Sequence, residues 1–112
     1  MPAQVVAENA AAYARLDSNS LADGHVIVVP RRHVADFFDM TAEEQAAVLE
    51  LLNRAKDVIA KKHAPDGWNI GVNVGKAAGQ SRMHVHVHLI PRRKGDVPDP
   101  SGGVRCVLRP PR

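Results

Sequence analysis

Residues 83–90 read Met83-His84-Val85-His86-Val87-His88-Leu89-Ile90. Successive side chains of a strand point to opposite faces, so residues two apart share one. The pattern predicts a strand from His84 to Ile90, ended by Pro91. Its three histidines would line one side, while Val85, Val87 and Leu89 turn towards a core. Three of the chain's six histidines fall within these five positions, in register with the pleat.

Working outward, His25-Val26-Ile27-Val28-Val29 is a β-branched run stopped by Pro30, and it predicts a buried strand. Before it, Ser18 to Gly24 has the Asn, Asp and Gly chemistry of a turn. Val5-Val6 and Tyr13 to Leu16 suit short strands, although the alanines between them tolerate helix. Thr41-Ala42-Glu43-Glu44 has the spacing of a capping box. Val48, Leu51, Leu52, Ala55 and Ile59 then recur at helical spacing, predicting one amphipathic helix of about 20 residues that ends near His63. Pro65-Asp66-Gly67 breaks it. From Trp68 to Val74 apolar residues alternate with Asn69, Gly71 and Asn73, the pattern of a half-buried strand. Gly75 to Gln80 is a loop, and beyond Arg92 only Val104 to Leu108 looks strand-like. The order β, β, β, α, β, β implies an α+β domain with an antiparallel sheet and one main helix.

The chain has 112 residues, enough for one compact domain. We read it as a single domain over 1–112, with its core at about 5–93 and an irregular tail at 94–112. A domain of this size buries a limited fraction of its surface, so a dimer interface would help it. A net charge of +3 favours anionic ligands. No Lys/Arg run is long enough for a nucleic-acid tail, and four aromatic residues offer little stacking surface, so no nucleic acid is expected. Cys106 is the single cysteine, which excludes an internal disulfide and a Cys-rich zinc site. Neither a signal peptide nor an apolar run of spanning length is seen, so no membrane association and a cytoplasmic location are expected.

Three readings of the histidine face compete. A metal site would use the commonest metal ligand, but the outer two histidines stand about 13 Å apart along a strand. A further ligand would have to come from elsewhere, such as His25 or an acid, and no HExxH pattern or cysteine pair supports it. Exposed histidines without a task are a poor match to three in register opposite apolar residues. Catalysis on phosphate accounts for the pattern best. A neutral imidazole is nucleophilic near pH 7 and forms covalent intermediates, while a neighbouring imidazolium supplies charge and a proton.

His84-Val85-His86-Val87-His88-Leu89-Ile90 resembles the signature of the histidine-triad (HIT) family, His-x-His-x-His followed by apolar residues. The resemblance extends to Asp23-Gly24-His25-Val26-Ile27-Val28-Val29-Pro30, which looks like the family's strand with a fourth histidine. It also includes Asn73 and Ala78-Gly79-Gln80-Ser81, which look like its phosphate loop. It runs from about Val5 to Arg93. It implies a HIT-like α+β fold and a nucleotide substrate cleaved at the α-phosphate through a nucleotidyl-histidine. By the same resemblance His86 is the nucleophile, His88 contacts the phosphate, and His84 and His25 support from the flanks. Asp17 would bind the ribose hydroxyls, and Asn73, Gly79, Gln80 and Ser81 the phosphates and leaving group. No metal or cofactor is implied for the covalent step, with Mg2+ entering only as a companion of the substrate phosphates. A homodimer is implied.

The flanks look most like the Fhit-type branch, whose members cleave dinucleoside polyphosphates, here to release AMP. The alternatives are a Hint-type nucleoside phosphoramidase and a non-hydrolytic nucleotide sensor. The chain lacks the N-terminal Cys-x-x-Cys of some relatives, so a structural zinc is not expected. The tail from Asp96 lacks the tyrosine segment of animal Fhit proteins. Each supporting residue also has a plainer reading: Asp17 as a turn residue, Asn73 as surface, Gln80 as loop filler, His25 as a satisfied core histidine. His33 and His63 read as surface and Cys106 as incidental. Arg31, Arg32, Arg92, Arg93 and Lys94 suit steering of a polyphosphate and solvation of strand ends equally well.

Overall fold

The computed structural model describes residues 4–17 and 22–108. The first four positions of the turn expected at 18–24 lie outside the described residues. The alanine-rich start is strand: β1 (Val5–Glu8) and β2 (Ala12–Leu16) form an antiparallel hairpin. Asn9 decides this. Its Oδ1 accepts from the backbone N–H groups of Ala11 and Ala12 at 3.2 and 2.9 Å. A side chain that bonds its own downstream backbone favours a turn over a helix.

The remaining strands and the α-helix are β3 (Val26–Pro30), α1 (Ala42–His63), β4 (Gly67–Val72) and β5 (Val87–Arg92). Together the strands make one antiparallel sheet in the order β1-β2-β3-β5-β4. The expected α+β architecture is therefore present. The chain leaves β3, crosses the sheet as α1, reaches the edge as β4, and returns as β5 beside β3. That return is what brings the histidine run next to His25.

Helix α1 starts where the capping box was expected. The Glu44 N–H donates to Thr41 Oγ1 at 3.0 Å, and the Thr41 N–H donates to Glu44 Oε1 at 2.8 Å. Arg32 clamps the same carboxylate with two bonds of 2.9 and 2.8 Å. The helix ends on Ala64, whose φ of 44° is left-handed, and Pro65 prevents continuation. Val48, Leu51, Ala55 and Ile59 are buried against Val26, Val28, Val85, Val87 and Leu89 on one face of the sheet. Each fully buried Leu or Ile there contributes about 1.5–3 kcal/mol.

The Arg32 hydrogen bonds, followed by that from the Thr41 backbone, hold the Glu44 carboxyl down from the ordinary 4.5 to about 2. A carboxyl depressed in the folded state stabilises above its unfolded pKa and loses that contribution as pH falls through the folded value. Glu44→Gln should therefore be less stable than wild type near pH 6, and the two should converge between pH 4.5 and 2. Urea denaturation across that range checks this; a gap that stays constant with pH contradicts it.

Four local expectations need correction. The hydrogen-bonded part of β5 begins at Val87, so only His88 of the triad lies within the strand. His84 and His86 precede it, because the Val85 N–H bonds the Val34 carbonyl, at 2.8 Å, instead of a sheet neighbour. Exposure still alternates through this approach, with Val85, Val87 and Leu89 buried. The strand expected to reach Val74 ends at Val72. Ile70, expected on the covered face of β4, is 53% exposed, since the helix packs across β1, β2, β3 and β5 and leaves this edge bare. Finally, Val104 to Leu108 lies within a 3-10 helix, Gly103–Leu108, without a ladder partner. Among the described residues, no helix is long and apolar enough to cross a membrane.

Candidate active site

The face of the sheet opposite α1 carries the histidines. Ile27 pairs with His88 across β3 and β5, and His25, two residues before Ile27, projects on the same side. His25 is 2% exposed. Its Nε2 lies 3.0 Å from His88 Nδ1 and 3.6 Å from Asp17 Oδ2. The carboxylate favours the proton on His25 Nε2. That nitrogen then donates to His88 Nδ1, leaving the proton of His88 on Nε2 as a donor. Burial is the main cause that lowers the pKa of both His25 and His88. The neighbouring His86 acts in the same direction on both, His25 does so on His88, and Asp17 opposes it. Both rings are thus biased towards the neutral form, in which His88 still has an N–H to donate.

His86 and His84 have their tautomers set by carbonyls, which can only accept. His86 Nδ1 donates to the His84 carbonyl at 3.2 Å. Its Nε2 consequently keeps the lone pair that a nucleophile needs. The His86 ring stands edge-on to His88, with centroids 4.9 Å apart. His84 Nε2 donates to the Pro30 carbonyl at 2.8 Å, which ties the approach to β5 onto the end of β3. His33 is exposed, as expected, and its ring packs 4.9 Å from that of His84. His63, also expected at the surface, is half-buried beside Gly24.

His86 and His88 line a cleft of about 230 Å³ together with Asp17, Asn73, Gly79, Gln80 and Ser81. Every candidate from the sequence is either in this cleft or, as with His25 and His84, bonded directly to a residue that is. Gln80 has a different task from the one expected. It is buried, and its Nε2 donates to the carbonyls of Ala35 and Arg82 at 2.6 and 3.0 Å. Its Oε1 accepts from the Gly75 N–H at 2.8 Å. The amide is spent on bracing the loop, whose Gly75 and Gly79 take φ values of 84° and 94° that favour glycine. A larger cavity of about 850 Å³ shares Asn73 and His88 and has apolar walls from Ile70, Val72 and Val104.

Asp17, His25 and His88 also bring one ligand atom each within 4.8 Å of one another, so among the described residues these three could hold a divalent ion. An ion there would displace the proton shared by His25 and His88. Members of the basic clusters take part in ion pairs: Arg31 with Glu8, Arg32 with Glu44, and Arg92 with Asp96. Arg93 donates to the His63 carbonyl. The residue missed in the sequence is Arg82, which lines the cleft. Its signal was its place in the loop two residues before the triad, obscured by the larger arginine clusters elsewhere.

The model of the HIT domain family matches residues 1–95 of the chain. An uncharacterized HIT-like protein of Methanocaldococcus jannaschii is 41% identical over 86% of this chain and 74% of its own length. The AP-4-A phosphorylase of Mycobacterium tuberculosis is 40% identical over 82% of this chain, which spans about half (48%) of that protein. Among solved structures, the NitFhit protein of Caenorhabditis elegans superposes with a TM-score of 0.80. It is 33% identical, over 88% of this chain and 24% of that one.

Proposed function

The chain belongs to the HIT domain family, and from that premise we propose that it cleaves nucleotides at the α-phosphate through a covalent nucleotidyl-histidine on His86. The observation that carries this is the His86 Nδ1 bond to the His84 carbonyl, which leaves Nε2 as the free lone pair of a ring that lines the cleft. In the first step Nε2 attacks the α-phosphorus and the bond to the leaving group breaks. His88 donates to a phosphate oxygen from Nε2, supported through His25 and Asp17. In the second step water attacks the phosphorus, the bond from phosphorus to His86 Nε2 breaks, and the nucleoside monophosphate leaves with His86 restored. Asp17 binds the ribose hydroxyls; Asn73, Gly79 and Ser81 hold the phosphates on the loop that Gln80 braces. No metal takes part in bond making, and Mg2+ accompanies the substrate phosphates.

The substrate class we infer is the dinucleoside polyphosphates, with AMP released, and the AP-4-A phosphorylase supports that choice. A homodimer in the cytoplasm completes the reading. The bare edge of β4, with exposed Ile70, supports self-association.

Steady-state kinetics on diadenosine triphosphate, diadenosine tetraphosphate and an adenosine phosphoramidate tests the assignment. The expected result is AMP release with kcat/KM highest on a dinucleoside polyphosphate. Equal kcat/KM on all three overturns the substrate class. Tight binding without turnover of any overturns the enzyme and favours a sensor.

A further inference from the structure

Arg82 stands apart from the other arginines near the site. Arg31, Arg32 and Arg92 each pair with a carboxylate. Arg82 is exposed, lines the cleft beside Ser81, His86 and His88, and has no hydrogen bond or ion pair from its guanidinium among the described residues. Its backbone is nevertheless held in place, because the buried Gln80 amide donates to the Arg82 carbonyl at 3.0 Å and to the Ala35 carbonyl at 2.6 Å. An unpaired guanidinium on a braced loop at the mouth of a phosphate cleft has the chemistry of an oxyanion receptor.

We propose that Arg82 forms a subsite for the anionic leaving group, binding phosphates beyond the α-position and selecting polyphosphate over amine leaving groups. The inference rests on the His86 reading above. As the His86 Nε2–phosphorus bond forms, the bond from phosphorus to the bridging oxygen breaks. The bonding pair departs with that oxygen, so negative charge grows on the leaving polyphosphate. A fixed cation there stabilises the transition state more than the ground state. An amine leaving group instead takes a proton on nitrogen and develops no anionic charge, so the same cation gives it little.

The test compares wild type, Arg82→Gln and Arg82→Lys on diadenosine tetraphosphate and on an adenosine phosphoramidate. Arg82→Gln should lower kcat/KM on the tetraphosphate by about 10- to 100-fold, the loss of one charge-assisted hydrogen bond. The phosphoramidate should change by less than about 3-fold, below the value of one such bond. Arg82→Lys, which keeps the charge and loses the fork, should recover part of the loss. Equal losses on both substrates, or none on either, overturn the subsite. Wild type that turns over neither substrate overturns the His86 reading instead. In that event calorimetry with inorganic tripolyphosphate still decides the subsite: about a 10-fold weaker affinity in Arg82→Gln supports it, and unchanged affinity overturns it.

Discussion

His86→Ala is expected to reduce turnover of the best nucleotide substrate by at least about 10⁴-fold, with the fold and nucleotide binding retained. The size follows from the role. Removing a group that only positions the substrate weakens one interaction, whereas removing a nucleophile deletes the pathway on which the other groups act. The fold should tolerate the change. His86 is only half-buried, and among the described residues its side chain bonds only the neighbouring His84 carbonyl. Steady-state rates beside a circular-dichroism melt separate the two effects. Turnover within about 10-fold of wild type in a folded variant would mean that another group attacks phosphorus.

The second large effect concerns Gly24, which links core to site. Its φ is 87°, and a Cβ there would lie 2.9 Å from both Ile59 Cγ2 and His63 Cδ2. Gly24→Ala therefore meets a left-handed backbone penalty of about 1–2 kcal/mol. It adds overpacking of about 1–3 kcal/mol against the helix face that buries Ile59. The expected loss is about 3 kcal/mol, read by urea denaturation, a large share of a small domain's total. Because Gly24 immediately precedes His25, kcat should fall as well at temperatures where the variant is folded. Stability within about 0.5 kcal/mol of wild type, the range of a plain surface substitution, would show that helix and turn yield easily.

Much of the fold was legible because it depended on local chemistry. The capping box at Thr41 and Glu44, the helical spacing of Val48 to Ile59 and the β-branched run Val26–Val29 each specify their element without distant help. The edges of the sheet were less so. The alternation from His84 to Ile90 assigned faces correctly, yet strand bonding starts at Val87 because the partner of Val85 is Val34, outside the sheet ladder. Val104 to Val107 has strand-forming residues but no neighbour to bond, and strand preference is context before it is propensity. Ile70 looked like core because alternation reports a face and not whether a helix reaches it.

The candidate site was legible in its residue types and less so in its division of labour. All nine candidates gather at one cleft or behind it. The positions of the protons were not readable, since they depend on which carbonyl each imidazole meets: Pro30 for His84, and His84 for His86. Gln80 looked like a phosphate ligand, and its partners Ala35 and Gly75 are known only from the fold.

The central claim is the covalent bond to His86, and intact-mass spectrometry after a rapid acid-free quench tests it most directly. Mixed with diadenosine tetraphosphate, wild-type protein should gain the mass of one nucleoside monophosphate, mapped by peptide fragmentation to His86. His86→Ala should gain none. Turnover by wild type with no adduct at any quench time, or an adduct on another residue, would contradict the account.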